Sequence, residues 1–332
     1  MSNSIMAREA AEAPQRIAEQ LAANAATVAQ VVAQIGLRKP KFVYMVGRGS
    51  SDHAGVFAKY LIEIEIGLPV AAAAPSIASV YNKSLQLTDA LVLVISQSGR
   101  SPDILAQVEM AKRSGAMVVA LVNDTTSPLA ALAHYTLPLH VGAEKAVAAT
   151  KSYLATLSAI LQLVSVWSGN TALQQAVLQL PQSLQAAIAL PPQLTTDALA
   201  QVAHLVVLGR GLGYAIAREI ALKLKEVCGI HAEAFSSAEF LHGPVTLVKN
   251  QFAIVDVTIE DESLAAHRAQ IEDVQGRGAA VVQLHHRGIS ADARVLPLLL
   301  LQRFYLDVEV VARSRGINPD APPGLNKVTK TL

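Results

Sequence analysis

The sequence predicts an α/β protein made of two similar halves, each a parallel sheet with helices on both faces. Three observations carry this expectation. The segment Tyr44-Met45-Val46-Gly47-Arg48-Gly49 returns as Val206-Val207-Leu208-Gly209-Arg210-Gly211, 162 residues later, about half the chain. Each copy runs from a short apolar strand through Gly-Arg-Gly into an apolar-periodic helix, ending near Glu63 and Glu226. Between and after the copies, strand-like and helix-like runs alternate, the pattern of a parallel sheet covered on both sides.

The elements follow in order. Residues 5–35 read as an amphipathic helix rich in Ala and Gln, interrupted early by Pro14. Strands are expected at 42–46, 70–74, 90–95, 117–122 and 135–139, where apolar and β-branched residues run without a break. Helices are expected at 51–66, 76–82, 102–114, 127–133 and 148–168. Two more, at 174–190 and 195–203, lead into the second copy. That copy predicts strands at 205–209, 252–257 and 280–284, helices at 213–228 and 263–276, and a last helix over 294–314. Residues 316–324, Gly-Ile-Asn-Pro-Asp-Ala-Pro-Pro-Gly, are too rich in breakers for anything but a loop or tail. The expected organisation is a helical segment at 1–36, one domain at 37–170, a second at 171–315 and a tail at 316–332.

Bulk composition removes several functions. At 332 residues the chain fits two ordinary domains. Charged residues are 16%, against about 25% in typical globular proteins, so a large buried interface is expected. The net charge of +1 leaves no basic excess for nucleic acid. No apolar run reaches the roughly 18 residues of a membrane span. The single cysteine, Cys228, excludes a disulfide framework and a cysteine-based zinc site. A soluble, cytoplasmic protein is expected.

The first half carries a candidate anion loop, Ser96-Gln97-Ser98-Gly99-Arg100-Ser101-Pro102, between a strand and a helix. Ser101 suits the helix N-cap and Pro102 its first position. Backbone N–H groups at such a start, with Ser96, Ser98 and Ser101 beside them, suit a phosphate. On its own the loop is more readily an ordinary well-capped turn. A second hydroxyl pair, Ser50-Ser51, follows the first Gly-Arg-Gly and favours the anion. No Walker motif is present, because no Gly-Lys-Ser/Thr follows the loop, and Gly47-Arg48-Gly49 is no dinucleotide fingerprint, because position 52 is Asp. The matching stretch of the second half, Val257-Thr258-Ile259-Glu260-Asp261-Glu262, is acidic. One phosphate site per chain is therefore expected.

Acid–base candidates cluster in the second half: Lys223, Lys225 and Glu226 late in a helix, then His231, Glu233 and His242-Gly243-Pro244. A carboxylate in an apolar setting can serve as acid or base. Lys223, Lys225 and Glu226 are equally compatible with a solvated helix face. His231 and Glu233 alternate like strand residues. His242 sits on a turn that would present its ring, and Lys327 lies in a tail where lysines are ordinarily exposed.

Taken together, these segments resemble the double sugar-isomerase (SIS) family, and specifically the isomerase half of glucosamine-6-phosphate synthase. The motifs are Gly49-Ser50-Ser51, Ser96-Gln97-Ser98-Gly99, Gly142-Ala143-Glu144 with Ala149-Thr150-Lys151, and Leu222-Lys223-Leu224-Lys225-Glu226. Ile230-His231-Ala232-Glu233-Ala234, His242-Gly243-Pro244 and Leu325-Asn326-Lys327-Val328 continue them, so the likeness covers nearly the whole chain. The resemblance implies two three-layer α/β/α domains, each with a five-stranded parallel sheet. It implies a hexose phosphate on Ser96, Gln97, Ser98 and Ser101 with Ser51 nearby, and Glu226 as the base moving a proton between C1 and C2. It implies His242 in ring opening, reaching in from the neighbouring subunit of a homodimer with shared sites. Lys327 would close the site, and the Val147 backbone and Lys223 would line it. No metal or organic cofactor is implied.

Two departures shape the expected activity. The chain opens Met1-Ser2-Asn3, without the synthase's glutaminase half and its N-terminal cysteine, so no ammonia from glutamine is expected. The family's Glu-Thr after Ser-Gln-Ser-Gly is replaced here by Arg100-Ser101, followed by Pro102-Asp103, which resembles the catabolic relatives. The expected function is glucosamine-6-phosphate deamination to fructose 6-phosphate and ammonia. The alternatives are a fructosamine-6-phosphate deglycase, a galactosamine-6-phosphate deaminase, or a non-catalytic sugar-phosphate sensor.

Overall fold

A computed structural model describes residues 4–249, 251–325 and 327. Nine strands form two parallel sheets among the described residues. They are β1 (Phe42–Val46), β2 (Val70–Ala72), β3 (Ala90–Ser96), β4 (Met117–Val122), β5 (Tyr135–Pro138), β6 (His204–Gly209), β7 (His231–Ser236), β8 (Ala253–Val257) and β9 (Ala280–Leu284). The first sheet has the order β2-β1-β3-β4-β5 and the second β7-β6-β8-β9. All seven residues of β3 and all six of β4 are buried, because helices cover both faces of their sheet.

Two compact units hold the two sheets. Among the described residues, one comprises Gln15–Ala143 and Ser152–Leu178 and contains the first sheet. The other comprises the chain start through Pro14, Glu144–Lys151 and Gln179–Lys327, and contains the second.

The repeat is real at the level of backbone angles. Gly49 precedes the helix Ser50–Glu65 with φ 55° and ψ −128°, and Gly211 precedes the helix Leu212–Cys228 with φ 55° and ψ −126°. A positive φ with extended ψ is costly for any residue with a Cβ, which accounts for glycine at both positions.

Among the described residues the second sheet has four strands, not the expected five. After β9 the chain continues His285-His286-Arg287-Gly288, with no apolar run that could pair along the sheet, and reaches the helix Leu296–Ser314 directly. The alternating segment His231–Ser236 forms the edge strand β7.

Pro14 does not interrupt the first helix, which runs from Ile5 to Arg38. Proline lacks the N–H that would bond the carbonyl four residues back. Here the buried Gln302 side chain donates to that carbonyl, Ala10 O, at 2.9 Å. The start of the helix is also capped from afar. Asp320 accepts from Ile5 N–H (2.9 Å) and Met6 N–H (2.8 Å), and its own carbonyl accepts from Val147 N–H (3.1 Å). Asp320→Ala is expected to lower unfolding stability by about 1–2 kcal/mol, the upper range for a lost N-cap. Urea unfolding of the variant checks it.

Candidate active site

In the first-sheet unit, β1 and β3 are neighbours, so the two hydroxyl-rich loops leave adjacent strand ends. In an open parallel sheet this is where ligands bind. Ser96 ends β3, and its Oγ accepts from Gly99 N–H at 3.1 Å, folding the loop back on itself. Gly99 has φ 64°, and a Cβ there would lie 2.2 Å from Ser127 Oγ, so no other residue fits. The Gln97 carbonyl accepts from Asn123 N–H (3.2 Å), tying the loop to the end of β4. Ser101 is the N-cap residue of the helix Pro102–Arg113, as expected, but its hydroxyl makes no capping bond. The hydroxyls of Ser51, Ser98 and Ser101 have no hydrogen bond to any described residue. All three are half-buried.

The cations beside this loop are already engaged. Arg48 donates from Nε to the fully buried Asp103 at 2.8 Å, clamping the Gly-Arg-Gly turn to the first turn of the next helix. Arg100 pairs with Asp124 at 2.7 Å. The Thr126 hydroxyl and then Arg100 pull the Asp124 carboxyl down to about 2. An anion bound here would rest on hydroxyls and backbone N–H groups at the helix start rather than on a free guanidinium.

In the second-sheet unit, the helix Leu212–Cys228 aligns Glu219, Lys223 and Glu226 on one side through i, i+3 and i, i+4 spacing. Lys223 is buried and lies between Glu219 Oε1 at 3.4 Å and Glu226 Oε2, to which it donates a short hydrogen bond. Burial acts to lower the Lys223 pKa, but the two carboxylates outweigh it and hold the ammonium above its ordinary range. The solvated-face alternative thus fails for Lys223 and holds for Lys225, which is exposed. Glu226 is half-buried, with one carboxylate edge oriented by Lys223. His242 lies on an exposed turn, where its ring makes no hydrogen bond to any described residue.

Lys327 is not a loose surface lysine. Its Nζ donates to Glu144 Oε2 (3.0 Å) and to Ala146 O (2.7 Å). Glu144 in turn accepts from Thr150 N–H at 3.0 Å. Glu9 holds the same loop by accepting from Lys145 N–H (2.5 Å) and Ala146 N–H (3.1 Å), and burial raises its pKa despite those bonds. Lys151 pairs with Glu12 at 2.8 Å. The Val147 N–H is spent on Asp320 O. Asn326, Val328 and Lys330 lie outside the described residues.

The structure therefore brings Lys223 to Glu226, and Lys327 to the loop that carries Val147. Sequence reasoning missed Glu219, although its place four residues before Lys223 was a usable signal. It also assigned no role to Glu9, Asp103 or Asp320, whose partners are remote in the chain.

The matching stretch of the second half is acidic, which disfavours an anion at that sheet end. Asp261 accepts from both the N–H and the hydroxyl of Ser263, at 2.8 and 2.6 Å. Its Oδ2 lies 3.7 Å from the position a Cβ would take on Gly211. A carboxylate fills the ground beside the second Gly-Arg-Gly turn and repels anions.

The model of the SIS domain matches twice, over residues 36–166 and 198–293. The chain belongs to the SIS-domain family. Two glutamine–fructose-6-phosphate aminotransferases are each 31% identical to this SIS chain. The one from Symbiobacterium thermophilum aligns over 97% of the chain and 58% of its own length. The one from Chlorobaculum tepidum aligns over 88% and 51%. The chain thus spans a little over half the length of these relatives. Among solved structures, a protein from Silicibacter pomeroyi, provisionally named a phosphosugar isomerase, is 40% identical. It superposes with a TM-score of 0.90, covering 96% of this chain and 100% of its own. A glucosamine-6-phosphate deaminase from Thermotoga maritima shares the SIS fold (TM-score 0.78, 21% identity), over 99% and 100% of the two chains. No helix among the described residues is long and apolar enough to cross a membrane.

Proposed function

We propose that this SIS chain is a phosphosugar isomerase that deaminates glucosamine 6-phosphate to fructose 6-phosphate and ammonia. The observation that carries the proposal is the pairing of buried Lys223 with half-exposed Glu226, a carboxylate oriented by one edge and open at the other. The phosphate of the substrate would rest on Ser96, Gln97, Ser98 and Ser101, with Ser51 beside them. His242 would assist opening of the pyranose ring. Glu226 would take the proton from C2 of the open-chain aldehyde and deliver it to C1, while the C1 oxygen becomes a hydroxyl and C2–N becomes a ketimine. Water adds to C2, and ammonia leaves as the ketone forms. The substrate's own carbonyl and imine accept the electrons, so the chemistry requires only proton transfer. Lys327 would hold the 144–151 loop closed over the sugar. A homodimer that shares its sites is part of the same proposal, motivated by the low charge content.

Ser96→Ala and Ser98→Ala are each expected to weaken substrate binding by about 1.5–3 kcal/mol, the worth of a hydrogen bond to a charged group. Ser96→Ala should lose more, because it also frees Gly99 N–H and loosens the loop. Titration calorimetry with substrate on an inactive background measures both, and two equivalent sugar-phosphate sites per chain would contradict the single-loop assignment. The function itself is tested by ammonia release on a panel of glucosamine 6-phosphate, galactosamine 6-phosphate and fructosamine 6-phosphates. Preference for glucosamine 6-phosphate supports the proposal. Preference for another member reassigns the substrate, and binding without turnover makes the protein a sensor.

A further inference from the structure

Glu260, His285 and His286 meet at the carboxyl ends of β8 and β9, in the half whose sheet end is acidic rather than phosphate-binding. Their ligand atoms all lie within 4.8 Å of one another. His286 is buried, at 5% exposure. Its Nδ1 lies 3.1 Å from the Ile289 carbonyl. A carbonyl only accepts, so Nδ1 carries the proton and Nε2 presents a bare lone pair. That Nε2 has no hydrogen bond, yet Glu260 Oε2 stands 3.3 Å away. The buried Nε2 is left without a hydrogen-bond partner among the described residues, beside a carboxylate, and a bound cation would satisfy both. Donation of the second ring N–H to a backbone carbonyl is how metal-bound histidines are oriented.

His285 completes the set. Its ring packs 4.2 Å from that of His286, and its Nε2 lies 3.2 Å from Glu260 Oε1. Gln193 holds its backbone from both sides, donating to His285 O (2.7 Å) and accepting from His285 N–H (2.7 Å). With metal–ligand bonds of 2.0–2.1 Å, neighbouring ligands of a tetrahedral zinc stand about 3.3–3.4 Å apart. The two nitrogen–oxygen separations, 3.2 Å to Oε1 and 3.3 Å to Oε2, are close to that spacing but run to different carboxylate oxygens, so a single ion would meet both edges of Glu260.

We propose that Glu260, His285 and His286 bind one divalent cation of the zinc class, clipping the end of β8 to the end of β9. Two imidazoles and a carboxylate are the ligand set that zinc takes with one open position for water. The site is separate from the proposed sugar chemistry and does not depend on it. Arg287 N–H donates to His285 Nδ1 (3.0 Å), so the proton of His285 sits on Nε2 and points at Glu260. Ligation moves that proton to Nδ1 and releases the Arg287 N–H. Arg287 has φ 47°, a left-handed conformation uncommon for a residue with a Cβ.

The test is zinc titration of the full chain after chelator treatment, read by competition with a chromophoric chelator. One zinc per chain is expected. His286→Ala and Glu260→Gln should each weaken that equivalent at least about tenfold, since outer-shell losses alone cost 10–100-fold. Glu260 is half-exposed, so its variant tests the site without disturbing packing. If wild type binds no zinc saturably, or either variant binds as wild type does, the three side chains are an ordinary polar cluster and the site is not a metal site.

Discussion

Glu226→Gln is expected to lower kcat at least about a hundredfold, the low end for loss of a general base. The substitution keeps the shape of the side chain and an acceptor oxygen for Lys223 Nζ, so the helix Leu212–Cys228 and its buried lysine stay in place. What disappears is the basic oxygen needed to take the C2 proton. KM should change little, because the proposed phosphate contacts are on a different loop. Steady-state ammonia release measures both constants. Near-normal turnover would remove Glu226 from the mechanism and leave the carboxylate as a partner that keeps Lys223 charged.

Lys223→Met is expected to be the most destabilising single change near the site. Lys223 is 1% exposed, and the Glu219 beside it is fully buried. Removing one member of a buried charge pair costs about 3–5 kcal/mol, because the remaining charge loses its counterion without regaining water. Replacing Glu219 by Gln in the same chain should recover much of the loss. Urea unfolding of the single and double variants checks this. The pH dependence has a definite sign. The folded state holds the Lys223 ammonium above its ordinary range, so its contribution is complete below the unfolded value of about 10.4 and is lost as pH rises through the folded one. At neutral pH the variant should show its full deficit.

The first sheet was nearly all legible in the sequence, and the reason is its burial. β3 and β4 are apolar at every or nearly every position, and only a strand covered on both faces reads that way. The Gly-Arg-Gly repeat was legible because the backbone conformation before each helix excludes other residues. The fifth strand of the second sheet was an expectation of family likeness alone, and no run after Leu284 supports it. Pro14 reads as a break because local rules see a missing N–H; they do not see Gln302 supplying a donor from 292 residues away. The same limit hid Asp320 at the start of the first helix and Glu9 under the 144–151 loop. Lys223 was ambiguous because i, i+3 and i, i+4 charges look alike on a wet face and in a buried pair. Glu219, four residues earlier and closed in by the same helix, decides between them.

Conversion of glucosamine 6-phosphate in deuterium oxide tests the central claim most directly. If Glu226 carries a proton between C2 and C1 by exchangeable chemistry, the fructose 6-phosphate formed should carry deuterium at C1, with ammonia released in equal amount. Both signals should vanish together in Glu226→Gln. Ammonia release with no deuterium at C1, or product formed equally well by the Gln variant, would contradict aldose–ketose proton transfer at this carboxylate.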